Sequence, residues 1–261
     1  MGNEYKFLES LNTELNILMD SFQNTIDEKQ KLELSHKQLI ANISHDIRTP
    51  LTSLLGFVEV LQKDRNIGTE EQMDYLNIIS SKGQLLYKMI QEFFELSRLE
   101  AEDVTLKLEK TCLTDTVNDV IAAYYEEFVS AGITPLIQVP DQPVYVWGHA
   151  ESIERVLSNL ISNALKYGKE GGAAGISVRE ESEKVWVEVW DKGTGIPEPD
   201  LPFIFNRLYT TETSRSQKLR GTGLGLAIVK QLVEKQNGEV AVSSIPNEKT
   251  IFSFSLVKNK M

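Results

Sequence analysis

The stretch Ala41-Asn-Ile-Ser-His45-Asp-Ile-Arg-Thr-Pro50-Leu51 sets a histidine inside a long segment with helical periodicity. Apolar residues recur mainly at steps of three and four on both sides of it, at Leu8, Leu11, Leu15, Leu18, Phe22, Leu32, Leu39, Ile43, Ile47, Leu51, Leu54, Val58 and Leu61. This spacing predicts an amphipathic helix of the coiled-coil type. The register carried from Ile43 turns His45 toward solvent, beside a kink expected at Pro50. An exposed imidazole there suits a nucleophile better than a packing residue.

A second helix is predicted from about Glu70 to Glu100, after turn residues at 64–69. Its apolar positions form a stripe that is too wide for one partner helix to cover: Leu76, Ile79, Leu85, Leu86, Met89, Ile90, Phe93 and Leu96. Two helical hairpins packed as a dimeric antiparallel four-helix bundle would bury this stripe. The sequence therefore predicts a homodimer.

Beyond Ala101 the pattern changes to the alternation that is typical of strands, as at Val185, Val187 and Val189. Short strands are predicted near 104–109, 133–139, 144–147, 175–180, 184–190, 240–244 and 249–257. Helices are predicted near 114–131, 150–167 and 223–237. Strands interleaved with helices indicate an α/β sandwich, with its boundary to the helical part near Glu102.

Length, net charge and cysteine content limit the partners and the cellular compartment that fit this chain. The chain has 261 residues, enough for two domains, and its net charge of −11 argues against nucleic acid or an anionic membrane surface as the main partner. The single cysteine, Cys112, excludes an internal disulfide and fits a reducing compartment. The sequence contains no apolar window long enough to span a bilayer and no recognisable signal peptide.

A first candidate nucleotide motif lies in the predicted helix 150–167. Asn159 and Asn163 are four residues apart and therefore share one helix face. An amide oxygen is a hard, neutral ligand that can bind a Mg²⁺ ion held mainly by phosphate and water. Lys166, on the next helical turn, could bind a phosphate group. Taken alone, two asparagines more often mark a solvent-facing helix surface.

Two glycine-rich segments follow. The first, at the end of an alternating strand, is Asp191-Lys-Gly193-Thr-Gly195. The carboxylate of Asp191 could accept a hydrogen bond from the exocyclic amine of adenine. A simple tight turn would explain the same residues. Gly221-Thr-Gly223-Leu224-Gly225 opens an apolar helix whose free N–H groups would face an anion, and it fits neither the Walker nor the Rossmann pattern. The residues between these segments include a basic cluster, which indicates a lid over triphosphate or a solvated loop: Arg207, Arg215, Lys218 and Arg220.

Ser44–Leu51 and four later blocks resemble, in the family's order, the conserved boxes of the sensor histidine kinases of two-component systems. The resemblance implies that His45 accepts the phosphoryl group, that Asp46 orients and activates its imidazole, and that Thr49 serves dephosphorylation of the response regulator. It implies that Asn163 binds Mg²⁺ and that Asp191 reads the adenine of ATP. It also implies further nucleotide-binding positions at Asn159, Lys166, Tyr167, Gly193, Gly195, Gly221, Gly223, Leu224 and Gly225.

Two features of these boxes need explanation. The block Phe205-Asn-Arg-Leu208-Tyr-Thr210 has leucine and threonine where the family has phenylalanine and arginine. We therefore expect a basic residue of the following loop, Arg215 first, to take over the phosphate contact. His45 and Asp46 are adjacent on a helix and point about 100° apart, so a bend near Pro50 or a rotamer change must bring them together.

The resemblance implies three parts: a coiled-coil or HAMP-like signalling helix (1–35), a dimerisation and histidine phosphotransfer hairpin (36–102), and an ATP-binding domain of the gyrase, chaperone and histidine kinase type (103–261). Residues 11–26 resemble the last helix of a HAMP module, but a plain coiled coil fits them equally well. We expect ATP and Mg²⁺ as cofactors and a response regulator as partner. We expect the cytoplasmic part of a membrane-anchored bacterial sensor, whose upstream sensor or transmembrane segment lies outside this chain.

Two other functions remain open at this level. An ATPase of the same nucleotide fold would share the glycine segments but lacks a phosphoacceptor box. A dimeric scaffold that acts only as a phosphatase would not need the intact nucleotide set of Asn163, Asp191 and Gly223.

Overall fold

The computed structural model describes residues 2–63, 67–100, 105–210 and 222–260, without the side chains of residues 2–14, 24, 28, 31–33 and 35–39. The chain forms two compact units, residues 1–83 and 84–261. Two long helices come first, α1 (Gly2–Lys63) and α2 (Thr69–Glu100), and the end of α2 belongs to the second unit. No helix of the described residues is both long enough and apolar enough to cross a membrane.

The first unit is a helical hairpin. Helix α1 continues without a break through Pro50. Phe57 of α1 packs against Tyr75 of α2, with the ring centroids 5.4 Å apart. Part of the predicted apolar pattern is exposed in the single chain, at Leu15, Leu18, Phe22, Leu51 and Leu76, together with three apolar residues outside that pattern, Leu55, Val60 and Met73. An apolar surface of this length indicates an interaction site.

The second unit combines the end of α2 with a mixed sheet and its covering helices. Its strands are β1 (Glu109–Cys112), β2 (Thr134–Gln138), β3 (Tyr145–Gly148), β4 (Ala173–Glu180), β5 (Lys184–Asp191), β6 (Val240–Ile245) and β7 (Lys249–Lys258). Its further helices are α3 (Leu113–Ala123), α4 (Tyr125–Ser130), α5 (Ala150–Gly168) and α6 (Gly225–Glu234), with short 3₁₀ turns at Lys169–Gly171 and Glu198–Phe203.

The strands follow the order β1-β3-β7-β5-β4-β2, and β6 also pairs with β7. The pairings of β5 with β4 and with β7 are antiparallel, while β2 lies parallel to β4. Helices α3, α5 and α6 pack together, and α5 also contacts β5. The predicted fold class, a helical hairpin followed by an α/β sandwich, is confirmed.

The core explains why the end of α2 joins this unit. Leu96 and Leu99 of α2 are buried among its residues. Both carboxylate oxygens of Glu95 accept hydrogen bonds from the guanidinium of Arg155 on α5, Oε2 from Nη2 at 2.7 Å and Oε1 from Nε at 3.3 Å. A bidentate pair of this kind fixes geometry more firmly than a single contact.

Three element boundaries differ from the sequence prediction. The helix expected at 114–131 is divided into α3 and α4 at Tyr124, whose hydroxyl donates to the carbonyl oxygen of Ser158 at 3.5 Å. The first strand lies at 109–112 rather than 104–109, because Glu109 to Cys112 pair with β3. Helix α6 ends before 237, where Asn237 adopts a φ of 59° and the N–H of Gly238 closes on the Val233 carbonyl oxygen.

Candidate functional site

Helix α5 carries the asparagine motif into a cleft of the second unit. It begins after His149, whose Nδ1 accepts a hydrogen bond from the backbone N–H of Ser152 at 3.3 Å. Its apolar face is buried, and the opposite edge places Asn159 and Asn163 on the cleft wall. The Nδ2 atom of Asn159 is buried and has no hydrogen-bond partner in the part of the chain that the structure describes. An unsatisfied buried amide at a cleft wall favours a ligand that completes its hydrogen bonds.

The cleft has a volume of about 170 Å³ and combines polar groups with an apolar floor. Its lining includes the following residues: Lys88, Glu92, Asn159, Ser162, Asn163, Lys166, Tyr167, Asp191, Thr194, Gly195, Ile196, Ile204, Tyr209, Thr210, Thr222, Gly223, Gly225, Leu226, Thr250 and Phe252. An apolar pocket with a few convergent polar groups is typical of a small-molecule site.

Lys166 and Tyr167 form a cationic edge of this cleft. The Lys166 Nζ atom donates to the Tyr167 hydroxyl at 2.9 Å and lies 4.5 Å from the ring centroid of the same tyrosine. Burial, and then the charge of nearby Lys88, lower the pKa of Lys166 to about 8. The ammonium is still mostly protonated at neutral pH, so it can attract a phosphate.

Asp191 is buried because it continues the inward face of β5. Val185, Val187 and Val189 alternate into the core, and Asp191 is the next position in that register. Its carboxylate is 3% exposed and accepts the Gly193 N–H at 2.8 Å. Burial raises the pKa of Asp191 to about 6, against the lowering effect of the Gly193 hydrogen bond. At neutral pH the group is an ionised acceptor facing a largely apolar pocket.

Close backbone approach explains the two glycines after Asp191. A Cβ on Gly193 would lie 1.9 Å from the carbonyl oxygen of Tyr167. Gly195 has a φ of 78°, and a Cβ there would lie 2.6 Å from the Cα of Pro246. Gly193 does not line the cleft; its N–H holds Asp191 in place, whereas Gly195 forms part of the wall.

The second glycine segment reaches the cleft only in part. Gly223 has a φ of 70°, its carbonyl accepts the Leu208 N–H at 2.9 Å, and it lines the cleft together with Gly225. The side chain of Leu224 is buried and does not line the cleft. Gly221 and Arg215 lie outside the described residues, so their nucleotide contacts stay predictions.

Leu208 and Thr210, the two residues of block 205–210 that depart from the family pattern, both lie close to the cleft or its glycine segment. Leu208 adopts a φ of 59°, and a Cβ on Gly223 would lie 2.8 Å from the Leu208 Cα, so the leucine packs tightly against the glycine segment. Thr210 lines the cleft. Arg207, counted in the sequence with the basic cluster, forms an ion pair with Glu100 of α2 at 2.5 Å.

His45 lies in the first unit with its side chain 70% exposed, so the solvent-facing register is confirmed for the single chain. Its Nδ1 lies 3.2 Å from the Asp46 carboxylate, although α1 is an unbroken helix here. The contact therefore forms within a helix that continues through Pro50. The Thr49 hydroxyl donates to the backbone carbonyl of His45 at 3.3 Å.

Among the polar groups of the cleft that sequence reasoning missed, Lys88 and Thr222 both contact Glu92. Lys88 and Glu92 come from α2, and Thr222 lies within the glycine segment. The first two are four residues apart, so they share a helix face with the buried Leu96 and Leu99. A lysine and a glutamate placed along a buried stripe are a signal that could have drawn attention to them.

Comparisons with known proteins cover both parts of the chain. Residues 35–102 match the His Kinase A (phospho-acceptor) domain, and residues 148–260 match the histidine kinase-, DNA gyrase B- and HSP90-like ATPase family. Sensor histidine kinase YcbM of Bacillus subtilis (strain 168) is 38% identical over 249 residues, which are 95% of this chain and 80% of YcbM. The chain belongs to the sensor histidine kinase family. The resemblance of its motifs is thereby confirmed.

Other members of the sensor histidine kinase family agree with this assignment. WalK of Bacillus subtilis (strain 168) is 31% identical over 88% of this chain, which spans only 38% of WalK. The crystal structure of histidine kinase ThkA in complex with the response regulator protein TrrA has a TM-score of 0.71 at 26% identity, covering 85% of this chain and 61% of that chain.

The raised pKa of Asp191 predicts that any ligand donating a hydrogen bond to this carboxylate, as adenine would, binds more weakly in acid. We expect the affinity for adenosine, which carries no phosphate, to fall about tenfold between pH 7.5 and pH 5, as the carboxylate that accepts the amine takes up a proton. A raised pKa means that protonation favours the folded state, so acidification through this group does not unfold the site. Calorimetric titration at several pH values measures the effect.

Asp191→Asn is the matched control for this pH dependence. The amide cannot titrate, so the variant should bind adenosine weakly and equally at both ends of the range. A wild-type affinity that does not change with pH would remove Asp191 from the adenine contact.

Proposed function

We propose that this chain is an ATP-dependent protein kinase that phosphorylates its own His45 and passes the phosphoryl group to an aspartate of a response regulator. The observation that carries the proposal is the exposed His45 imidazole, hydrogen-bonded to Asp46 within the segment that matches the phospho-acceptor domain. Incubation with ATP labelled at the γ-phosphate tests the reaction class, because a kinase retains the label and an ATPase releases it.

The contact with Asp46 indicates which nitrogen of His45 reacts. When Nδ1 carries the hydrogen that is donated to the Asp46 carboxylate, Nε2 keeps its lone pair, and the imidazole side chain is 70% exposed. Nε2 then forms a bond to the γ-phosphorus while the bond from that phosphorus to the β–γ bridging oxygen breaks, and ADP leaves. Asp46 stabilises the positive charge that develops on the ring and then accepts the Nδ1 proton, which leaves a neutral phosphorylated ring.

The second unit would supply the nucleotide. Asp191 accepts a hydrogen bond from the adenine amine. Asn163, Lys166 and the N–H groups at the start of α6 bind the phosphates, directly or through the metal ion. The amide oxygen of Asn163 fits a Mg²⁺ ion held mainly by phosphate and water, since no group of three His, Cys, Asp or Glu side chains forms among the described residues. The unsatisfied Nδ2 of Asn159 is a hydrogen-bond donor, so it suits a phosphate or water oxygen instead. Bound Mg²⁺ would neutralise phosphate charge and orient the transferred group.

We propose a response regulator as the phosphoryl acceptor and as the substrate of a reverse, dephosphorylating reaction. ThkA was crystallised with such a regulator, and it shares the fold of this chain over most of its length. Thr49 lies one helical turn after His45 and is exposed, so it faces the same surface. Its hydroxyl is available to hold a water for attack on an aspartyl phosphate when it leaves the His45 carbonyl.

Thr49→Ala is expected to lower phosphatase activity by at least about tenfold and to leave autophosphorylation within about twofold of the wild type. The bond from Thr49 to the His45 carbonyl is long at 3.3 Å, so its loss should cost α1 little. Dephosphorylation of a purified phosphorylated regulator and labelling from ATP are measured side by side. Equal falls in both activities would assign Thr49 a structural role.

We propose that the protein is a homodimer through the exposed apolar stripe of α1 and α2. Leu51, Leu55 and Met73 are exposed in the single chain, and their burial in a four-helix bundle would remove the stripe from water. Light scattering at micromolar concentration should give twice the chain mass, and Leu51→Asp should shift the protein to monomer. A monomeric wild type would contradict this assembly.

Two other readings are less well supported. A plain ATPase of the same fold does not account for the phospho-acceptor match at 35–102. A phosphatase-only scaffold does not account for the buried Asp191 and the close-packed glycines of the cleft.

We also propose that residues 11–26 receive the signal of a bacterial membrane sensor on its cytoplasmic side. Fractionation of the native protein from its host tests this location.

A further inference from the structure

The end of α2 brings a charged pair into the nucleotide cleft. Lys88 and Glu92 both line the cleft, and the Lys88 Nζ lies 3.8 Å from Oε1 of Glu92. Glu92 is 1% exposed, whereas the Lys88 side chain is 57% exposed. A buried carboxylate is costly unless it is paired, and a negative charge in a site for a polyanion opposes the ligand.

Glu92 is also hydrogen-bonded to the glycine segment. The Thr222 hydroxyl donates to the second carboxylate oxygen of Glu92. The same hydroxyl accepts a hydrogen bond from the backbone N–H of Leu224 at 3.3 Å, while its single hydrogen is donated to Glu92. A hydroxyl has one hydrogen to donate, and it cannot serve Glu92 and a phosphate oxygen at the same time.

We infer that Glu92 is a specificity-determining residue that competes with nucleotide phosphate for the Thr222 hydroxyl and the Lys88 ammonium. The inference rests on the proposed function, since it assumes that the cleft binds ATP. When a phosphate enters, Thr222 and Lys88 turn from Glu92 to the phosphate oxygens, and the Glu92 charge stays nearby and opposes each added phosphate. Glu92 thereby sets how strongly affinity depends on the number of phosphates, without acting on the adenosine part.

The cleft contains two ammonium groups that bear on this competition. Lys166 on α5 faces the same space as Lys88, and the two positive charges repel each other when the cleft holds no anion. Glu92 relieves part of that repulsion because it pairs with Lys88. An incoming phosphate replaces Glu92 in this role, which makes the exchange of partners favourable for both lysines.

Glu92→Gln separates charge from shape, because glutamine keeps the size and an oxygen acceptor for Thr222 but carries no charge. Calorimetry on the full chain compares adenosine, ADP and a non-hydrolysable ATP analogue. We expect unchanged affinity for adenosine, about threefold tighter ADP and roughly tenfold tighter ATP analogue, with gains that shrink as salt rises. A merely structural role would change all three ligands together and would not respond to salt.

Glu95→Gln is the matched control. It removes the same charge from the same helix three residues away, but Glu95 pairs with Arg155 and does not line the cleft. It should therefore show no gain that depends on phosphate number. Lys88→Gln is the second test on a largely exposed side chain, and it should weaken the ATP analogue about fivefold with adenosine unchanged.

The outcomes distinguish a failure of the nucleotide site from a failure of the role of Glu92. A wild type that binds no adenosine would refute the nucleotide site itself. A wild type that binds adenosine, with equal or weaker binding of the ATP analogue in Glu92→Gln, would overturn the role of Glu92. If Glu92→Gln fails to fold, the Lys88→Gln variant decides: a fivefold loss specific to the ATP analogue supports the exchange of partners, and an unchanged affinity overturns it.

Discussion

Replacing His45 with glutamine is expected to abolish phosphorylation of the protein by ATP. Glutamine keeps a polar side chain on the exposed face of α1 but offers no nitrogen lone pair that can attack phosphorus. The label on the wild type should be acid-labile and alkali-stable, as expected for a phosphoramidate on a ring nitrogen. Phosphorylation measured by retained γ-label should fall to background in the variant.

Two other histidines serve as controls for this result. His149 caps α5 through its Nδ1, so His149→Asn, which keeps a capping side chain, should retain the label. His36→Gln should retain it as well. Adenosine affinity should be the same in His45→Gln and the wild type, since His45 belongs to the first unit and the cleft to the second. Label that persists in His45→Gln would end the assignment of the acceptor.

Replacing Asn163 with alanine is expected to weaken binding of the Mg²⁺–ATP complex by roughly 5- to 150-fold, the range for losing one hydrogen bond or ligand in a charged site. Asn163 lies on the partly exposed cleft edge of α5, so alanine should not open a cavity in the core. Calorimetry in the presence of Mg²⁺ and with a chelator distinguishes an ion ligand from a general contact. The wild type should gain affinity from Mg²⁺, and Asn163→Ala should lose most of that gain.

Asn118→Ala provides the matched control for Asn163. Asn118 is an exposed asparagine on α3 that does not line the cleft, so its removal should leave both affinities unchanged. Thermal unfolding of both variants near the wild-type midpoint would show that the effect is local. A Mg²⁺ gain that is equal in Asn163→Ala and the wild type would refute the ion-binding role.

Most features that could be predicted follow from the local spacing of apolar residues along a strand or helix. The alternation of β5 continues to position 191, and alternate residues share a face, so an inward carboxylate at the end of the strand follows from the sequence. The helical register from Ile43 likewise predicts the exposure of His45, because one turn of helix fixes the direction of each side chain. Both are short-range geometry.

Contacts between distant segments could not be predicted in the same way. Glu92 and Thr222 are 130 residues apart, and nothing in either local sequence indicates that they meet. At the division of the helix, α3 packs on α5, α4 packs on β2, and the Tyr124 hydroxyl reaches the Ser158 carbonyl, none of which periodicity encodes. The His45–Asp46 contact was expected to need a bend or a rotamer change, and the structure forms it within a helix that continues through Pro50.

The most direct test of the account is to map the phosphoryl group on the wild-type protein after incubation with Mg²⁺ and ATP. Mass spectrometry at neutral pH, with fragmentation that preserves the N–P bond, locates the modified residue, and phosphorus NMR identifies the substituted ring nitrogen. We expect one phosphoryl group per chain, on Nε2 of His45. A phosphoryl group on any other residue, or ATP hydrolysis with no modified chain, would contradict it.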